Sequence, residues 1–498
     1  MSVGVRLEPL GVSIETGPGT PLRDLLFPHG VEFPCGGRGK CRRCRVRVIA
    51  GELDPSPDER RILTPEEIAE GWRLACRAGV QSDVTLDIEQ WESPVLADES
   101  AFAFAPREGR GVAVDLGTTT VVAQLVDLAG GHVLGVRTAL NPQAAYGADI
   151  MSRVERALEP DGARLLREMI REAIGRMAGE LAADGPLEGG VTIVGNTVMH
   201  HLFSGVDVGP LARAPFETVE DGLAVFGAGE LGWPLPSGVA VRFLPCLGGF
   251  VGSDILAGIR ATRLHESEDL EALIDLGTNG EIVVGSRRGL LCASTAAGPA
   301  FEGGRISAGM RAATGAIAEV TLNGGQMQCR VLGGGRPRGI CGSGLVDAVR
   351  CALDLGLILP SGRLAGGARS LALADGVALT QGDIRELQLA KAAIAAGVKI
   401  LLRQMGAARS GIRRVYLAGA FGNTVSRDSA RRIGLLEFEP EQVEPVGNTA
   451  LLGAKVALFD RDASANDALR RQVRHVPLGS DAEFHETYVE AMRFPEAP

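Results

Sequence analysis

Tryptophan and tyrosine are scarce, three of each among 498 residues, and aromatic side chains make up only 4% of the chain. Glycine is abundant instead, at 68 residues, so much of the chain is expected in tight turns and close backbone approaches. No run of apolar residues is long enough to span a bilayer, so no membrane association is expected. The opening MSVGVRLEPLGVSIETG lacks the charged start and apolar stretch of a signal peptide, and a cytoplasmic location is expected. Positive charge is also short. A net charge of −10 argues against a general nucleic-acid binder, which would show a basic face. The pattern G-x-x-x-x-G-K-S/T does not occur, so a P-loop ATPase is unsupported. What remains is ordinary for a globular chain, 45% hydrophobic and 22% charged. The length suits roughly three structural units of about 150 residues.

Cysteine is absent between Cys76 and Cys246 but clustered before that gap. Four thiols, Cys35, Cys41, Cys44 and Cys76, fall in the first 80 residues, and in a reducing compartment such clustering favours metal binding over disulfides. Cys246, Cys292, Cys329, Cys341 and Cys351 are scattered and read as core thiols. Around the cluster, VGVRLEPL and GVSIETG alternate as a hairpin. TPLRDLLFPHG reads as a brief helix with Thr20 as N-cap and Pro21 at its first position. TPEEIAEGWRLACRAG reads as a second helix capped at Thr64, and SDVTLDIE as a closing strand.

The spacing Cys35-x5-Cys41-x2-Cys44-x31-Cys76 resembles that of [2Fe–2S] ferredoxins of the β-grasp fold, with one more residue in the first gap than plant-type members have. Two bridged irons need four thiolates, three from one loop and one from a distant residue. Gly36, Gly37 and Gly39 let backbone N–H groups turn toward the sulfurs. The alternative is zinc, for which Cys41 and Cys44 alone would serve. Arg38, Lys40, Arg42, Arg43, Arg45 and Arg47 surround the ligands, either as a solvated face or as a docking patch for an acidic partner or reductase. Residues 90–111 lack periodicity and read as a linker with at most one short strand.

The remaining chain repeats its own logic. GVAVDLGTTTVVAQLVD and EALIDLGTNGEIVVGS each place an aspartate, Asp115 and then Asp275 160 residues later, at the end of an apolar strand before a Gly-Thr turn. Such turns present N–H and hydroxyl donors to phosphate oxygens, here from Gly117, Thr118, Thr119 and Thr120 and from Gly277, Thr278, Asn279 and Gly280. The aspartates can hold a hydrated Mg²⁺. VTIVGNTVMHHL is matched by RVYLAGAFGNTV, and CLGGFVGSDILAG loosely by PVGNTALLGAKVAL, whose small residues let two helices cross closely. The adjacent His200 and His201 point to different faces of a helix and read as structural.

This set resembles the acetate-kinase, sugar-kinase and actin superfamily. The resemblance implies two α/β lobes closing over ATP, with Gly419 and Gly422 of LAGAFG in an adenosine motif and Asp254 near the γ-phosphate, or else at a helix N-cap. The glycine-dense STAAGPAFEGGRISAGM and RGICGSGLVDAV imply backbone contact with nucleotide at Gly298, Gly342 and Gly344, with Glu302 and Asp347 as candidates for Mg²⁺ or water. The expected fold class is therefore mixed α+β and α/β: a β-grasp ferredoxin at residues 1–90, a linker at 91–110, and an actin-like, acetate-and-sugar-kinase-type ATPase with lobes at 111–270 and 271–498.

A ferredoxin joined to this ATPase resembles the reductive activators of corrinoid-dependent methyltransferases, through the cysteines, DLGTTT, VGNTVMHHL, GGFVGSDI, DLGTNGEI, AGPAFEGG, GICGSGLVDA, LAGAFGN and FHETYVEAMRFP. Larger members carry an extra domain where this chain has only the junction. The resemblance implies ATP-dependent transfer of one electron from a [2Fe–2S] cluster to the inactive Co(II) form of a corrinoid protein, regenerating Co(I). Asp115, Asp254 and Asp275 would be the catalytic acids, and ATP and Mg²⁺ the further cofactors. An electron-donating reductase is implied as a second partner, and a homodimer is compatible with it. The rival readings are a small-molecule kinase with a redox-sensing ferredoxin, an ATP-driven electron donor to another metalloenzyme and, last, a scaffold.

Overall fold

Strict alternation of buried and exposed residues in Val3–Glu8 and Val84–Ile88 builds a one-sided sheet at the start of the chain. The computed structural model describes residues 2–8, 11–26, 29, 31, 44–88, 100, 102–147, 149–183, 185–460 and 464–496. Cys35, Cys41, the three glycines of their loop, Arg38, Lys40, Arg42, Arg43 and most of the first half of the linker lie outside the described residues. The chain forms two compact units, Met1–Ser93 with Thr118–Thr120 and Ala139–Ala173, and Pro94–Gly117 with Val121–Thr138 and Ile174–Pro498.

In the first unit the strands run in the order Val12–Thr16, Val3–Glu8, Val84–Ile88, Arg45–Gly51, Trp72–Leu74. Val3–Glu8 lies parallel to Val84–Ile88, and the other pairs are antiparallel. Val5, Leu7, Leu22, Leu26, Val46, Leu74, Leu86 and Ile88 fill the space beneath. Two expectations need correction. The first helix begins at Leu22, because Pro21 bridges to Gly79 and the Thr20 hydroxyl donates back to the Gly17 carbonyl. The second helix is only Pro65–Ala69. Its cap at Thr64 is as expected, and Glu67 completes a capping box, but Gly71 at φ +89° turns the chain into the strand Trp72–Leu74. An unforeseen short helix, Glu59–Ile62, carries the fully buried Glu59, whose carboxylate accepts from the Leu74 amide at 2.6 Å and pins that strand.

The second unit is built on two six-stranded sheets that share a matching run of five strands, each with one extra strand at the opposite edge. One runs Ala224–Gly227, Ala240–Phe243, Gly190–Gly195, Arg110–Leu116, Thr120–Asp127, Val133–Leu140. The other runs Val443–Gly447, Ile412–Ala418, Leu270–Leu276, Gly280–Ser286, Gly289–Thr295, Val473–His475. In both, the strand bearing the loop aspartate pairs antiparallel with its successor and parallel with the strand on its other side. The internal duplication is therefore one of structure. Its two connecting helices, Ser253–Thr262 and Thr449–Leu458, cross at near contact, since a Cβ on Gly453 would lie 2.1 Å from the Ala257 carbonyl oxygen.

The second half of the expected linker is packed. Phe102 meets Phe459 edge-on and Phe104 meets it tilted, at 5.5 and 4.6 Å between ring centres, and the Arg107 guanidinium donates to the Leu458 carbonyl. Cys246, Cys292, Cys341 and Cys351 are buried and Cys329 is half-buried, as expected of core thiols. Among the described residues no helix is long and apolar enough to cross a membrane.

The helix crossing yields a prediction. Gly453→Ala forces backbone apart at the junction of the two halves and should lower stability by about 1–3 kcal/mol. Gly222→Ala, at a position with open space around it, should be near neutral. Urea unfolding of both variants checks the contrast.

Candidate functional site

The register of the two duplicated sheets decides where the acids go. Asp115 is opposite Val122 on one side and Val194 on the other, and Asp275 is opposite Glu281 and Ala418. Cross-strand partners share a face, so Glu281 stands beside Asp275. Asp254, in the first turn of Ser253–Thr262, accepts from the Ile255 amide at 2.8 Å. The helix N-cap is Gly252, so the N-cap alternative for Asp254 falls away.

These acids feel one another. Asp115, Asp254 and Asp275 are half-buried, and all titrate high. Burial pushes Asp115 up to about 6, offset in part by a hydrogen bond from Asn448. Burial and then the charge of Asp115 push Asp275 up to about 7. Burial and then the charge of Asp275 push Asp254 up to about 7. Glu281, itself buried, is raised well above the carboxylate range by burial and then by Asp254 and Asp275. Like charges gathered at low dielectric attract a cation or a proton.

Asn448 is the neutral counterpart in this group. Its Nδ2 donates to Asp115 Oδ2 at 2.8 Å, while its Oδ1 accepts from the Leu451 amide and caps Thr449–Leu458. The helix of the second half thus holds the aspartate of the first. In the corresponding helix Ser253 Oγ joins both the amide and the carbonyl of Gly195, at 3.1 and 3.2 Å. Glu281 and Asn448 were not singled out in the sequence, although DLGTNGEI placed an acid inside a buried strand and PVGNTALLGA an Asn at a helix start.

Among the remaining candidates, the Thr278 hydroxyl donates to both carboxylate oxygens of Glu302 at 3.1 Å, which brings Glu302 to the second loop. Asp347 is elsewhere. It is buried beneath Ala316–Asn323 and accepts from the Val320 amide at 3.3 Å. The glycines divide in two. Gly277 and Gly298 have space around them. At Gly280, Gly342, Gly344 and Gly422 a Cβ would press on Ile394, Phe301, Ile317 and Leu417, so close packing requires glycine there. Gly419, at φ +86°, is special, because a Cβ there would sit 2.7 Å from Asp275 Oδ1. His200 and His201 are buried in a helix, with His200 lowered to about 4 mainly by burial, in keeping with structural roles.

Two tests of fit follow. For Mg²⁺, no three acids, histidines or cysteines among the described residues converge as direct ligands. Aspartates spaced as these are suit a cation that keeps its waters and shares them with phosphate oxygens, which is how Mg²⁺ binds. For the cluster, Cys44 precedes Arg45–Gly51 and Cys76 follows Trp72–Leu74. Arg45 pairs with Leu74, and the Ala75 amide donates to the Cys44 carbonyl at 2.9 Å, so the two thiols end adjacent strands together. Soft thiolates gathered there fit an iron–sulfur centre. Arg45 and Arg47 both lie over the Trp72 ring and Arg45 also meets Glu67, which gives these two of the basic residues intradomain roles.

Comparison with known proteins agrees with this picture. Residues 269–498 match a family model described as the C-terminal domain of RACo, the ASKHA domain, and residues 110–267 match the RACo middle region. Residues 5–81 match the 2Fe-2S iron-sulfur cluster binding domain. The corrinoid activation enzyme RamQ of Eubacterium limosum is 35% identical over 76% of this chain and 69% of its own length. The Co(II) methylated amine-specific corrinoid protein reductase of Methanosarcina barkeri is 27% identical over 76% of each chain. A solved structure of a reductive activator for corrinoid, iron-sulfur protein superposes with a TM-score of 0.68 at 28% identity, covering 99% of this chain and 98% of its own.

Because the three aspartates titrate above their ordinary 3.8, the folded chain binds more protons than the unfolded chain between about pH 4 and 7. The stability they contribute is therefore present in acid and lost as pH rises through 6 to 7. Asp275→Asn should raise the melting temperature of the nucleotide-free protein at pH 8 by about 2–4 °C, for relief on the order of 1 kcal/mol, and leave it unchanged at pH 5. Scanning fluorimetry from pH 5 to 8 measures both.

Proposed function

The chain belongs to the RACo family of corrinoid activators, and we propose on that premise that it returns one electron to the Co(II) corrinoid of a methyltransferase corrinoid protein in an ATP-dependent reaction. The observation that carries this reading is the mutual electrostatic contact of Asp115, Asp254 and Asp275, delivered by two copies of one strand–turn–strand unit, in a chain that also gathers Cys44 and Cys76 at one end of a ferredoxin sheet. The relatives are named for activation and reduction of corrinoid proteins, which supports a corrinoid protein as the partner. Neither the kinase nor the alternative electron-donor reading is favoured by any of them.

Each residue has a task. Gly117, Thr118, Thr119 and Thr120 in the first turn and Gly277, Thr278 and Asn279 in the second offer N–H and hydroxyl donors to phosphate oxygens. Glu302 orients the Thr278 hydroxyl. Asp115, Asp254 and Asp275 would hold a hydrated Mg²⁺, which would neutralise phosphate charge, and Asn448 fixes the carboxylate of Asp115. Gly419 keeps Asp275 free of steric pressure, and Gly298 leaves backbone open to the nucleotide. Cys35, Cys41, Cys44 and Cys76 hold the [2Fe–2S] cluster, which supplies a one-electron store when bound. An external reductase refills that store. We place the domains at 1–90, 111–270 and 271–498, with the linker at 91–110.

The test is anaerobic. Purified protein is mixed with a Co(II) corrinoid protein, a low-potential reductant and a methyl donor, with and without Mg·ATP, and the visible spectrum follows loss of Co(II). The reading requires that methylation depend on ATP, that Cys41→Ser abolish it, and that Asp275→Asn slow it by about 10²-fold or more, the scale of losing one preorganised electrostatic group. Nucleotide binding without any Co(II) loss would turn attention to another electron acceptor.

A further inference from the structure

Arg153 is fully buried and reaches three acceptors on neighbouring segments. Its Nε donates to the Gly147 carbonyl at 2.9 Å, one terminal nitrogen donates to Gln143 Oε1 at 3.3 Å, and the other donates to the Thr118 carbonyl in the first phosphate loop. The neighbouring Asn141 amide donates to the Thr119 carbonyl at 2.8 Å, and Asn141 Oδ1 accepts from the Gln143 amide. Asn141 and Gln143 are fully buried too. One guanidinium thus ties the phosphate loop to both flanks of Tyr146, which lies between Gln143 and Gly147.

Tyr146 is half-buried, and its ring meets two arginines. Arg156, on the helix Ile150–Ala157 that also carries Arg153, lies 5.5 Å from the ring centre. Arg23, on the first helix of the ferredoxin sheet, lies 5.0 Å from it. The phosphate-loop residues Thr118–Thr120, the segment Ala139–Ala173 and the ferredoxin residues all belong to one compact unit.

We propose that Tyr146 is a positioning residue through which the ferredoxin domain and the first phosphate loop are coupled, with Arg153 as the rigid link and the Arg23–Tyr146 stack as the contact that nucleotide binding strengthens. A buried guanidinium cannot release its acceptors without leaving charge unsolvated, so a shift of the Thr118 carbonyl carries Gln143 and Gly147 with it. The Tyr146 ring then moves relative to Arg23. The inference rests on the assignment of Gly117–Thr120 as a phosphate loop, and it adds a route by which ATP governs where the electron store is held. Coupling of this kind is reciprocal, so loosening the ferredoxin contact must weaken ATP.

The test is isothermal titration of Mg·ATP into the full-length, cluster-loaded chain. A cation–π contact at a partly exposed site limits the effect to about two- to fivefold. Arg23→Ala, on the ferredoxin and outside the phosphate loops, is expected to weaken ATP by that factor with the cluster's visible spectrum unchanged. Tyr146→Ala should do the same, Tyr146→Phe should bind as the parent because the ring is kept, and the Arg23→Ala/Tyr146→Ala double variant should lose no more than either single one. Parent-like affinity in Arg23→Ala, additive losses, or equal losses in Tyr146→Phe and Tyr146→Ala would each overturn the coupling. Failure of the parent chain itself to bind ATP would overturn both the coupling and the nucleotide assignment beneath it, and so separates the two.

Discussion

Four carboxylates held within electrostatic reach of one another, away from bulk water, are the constraint on which the rest of this molecule depends. Asn448 donates a hydrogen bond to Asp115, and Asp254, Asp275 and Glu281 each titrate higher through burial first and then a neighbouring acid. Such a cluster opposes closure of the structure around it and favours whatever brings positive charge. Mg²⁺ accompanying a nucleotide answers that need.

The duplication explains how the cluster is assembled. Each half contributes a strand ending in aspartate, and each helix at the crossing reaches toward the other half's loop or strand. Asn448 begins the second helix and bonds the first half's Asp115, while Asp254 begins the first helix and faces the second half's Asp275. Gly453 against Ala257 lets the two helices touch at the backbone, so a small rotation there is felt directly among the acids. Close-packed contacts of this kind switch between discrete arrangements more readily than they deform.

Much of this was legible from the sequence because the signals were local. The two DLGT strands, the hairpin at the start, the cap at Thr64 and the paired small-residue helices each follow from adjacent residues. What escaped had non-local causes. The helix at Thr64 stops after five residues because Gly71 and the sheet claim WRL, although that stretch has no strand signal of its own. Asn448 acts on a residue 333 positions away. The close approach of Phe301 to Gly342 and of Ile317 to Gly344 is likewise between residues distant in the chain. Arg153, on the helix Ile150–Ala157, was not singled out and is fully buried.

The account's central claim is that nucleotide occupancy of the acidic cluster is what makes reduction of the corrinoid feasible. A conformational preference of about 10⁴ corresponds to roughly 5.5 kcal/mol. At about 59 mV per tenfold change for one electron, that offsets on the order of 240 mV. The most direct measurement is a spectroelectrochemical titration of the Co(II)/Co(I) couple of the corrinoid protein in complex with this chain, with and without Mg·ATP. A positive shift of the apparent potential of up to about 240 mV on adding Mg·ATP, lost in Asp275→Asn, is the predicted result. An unchanged potential in a demonstrably formed, nucleotide-loaded complex would contradict it.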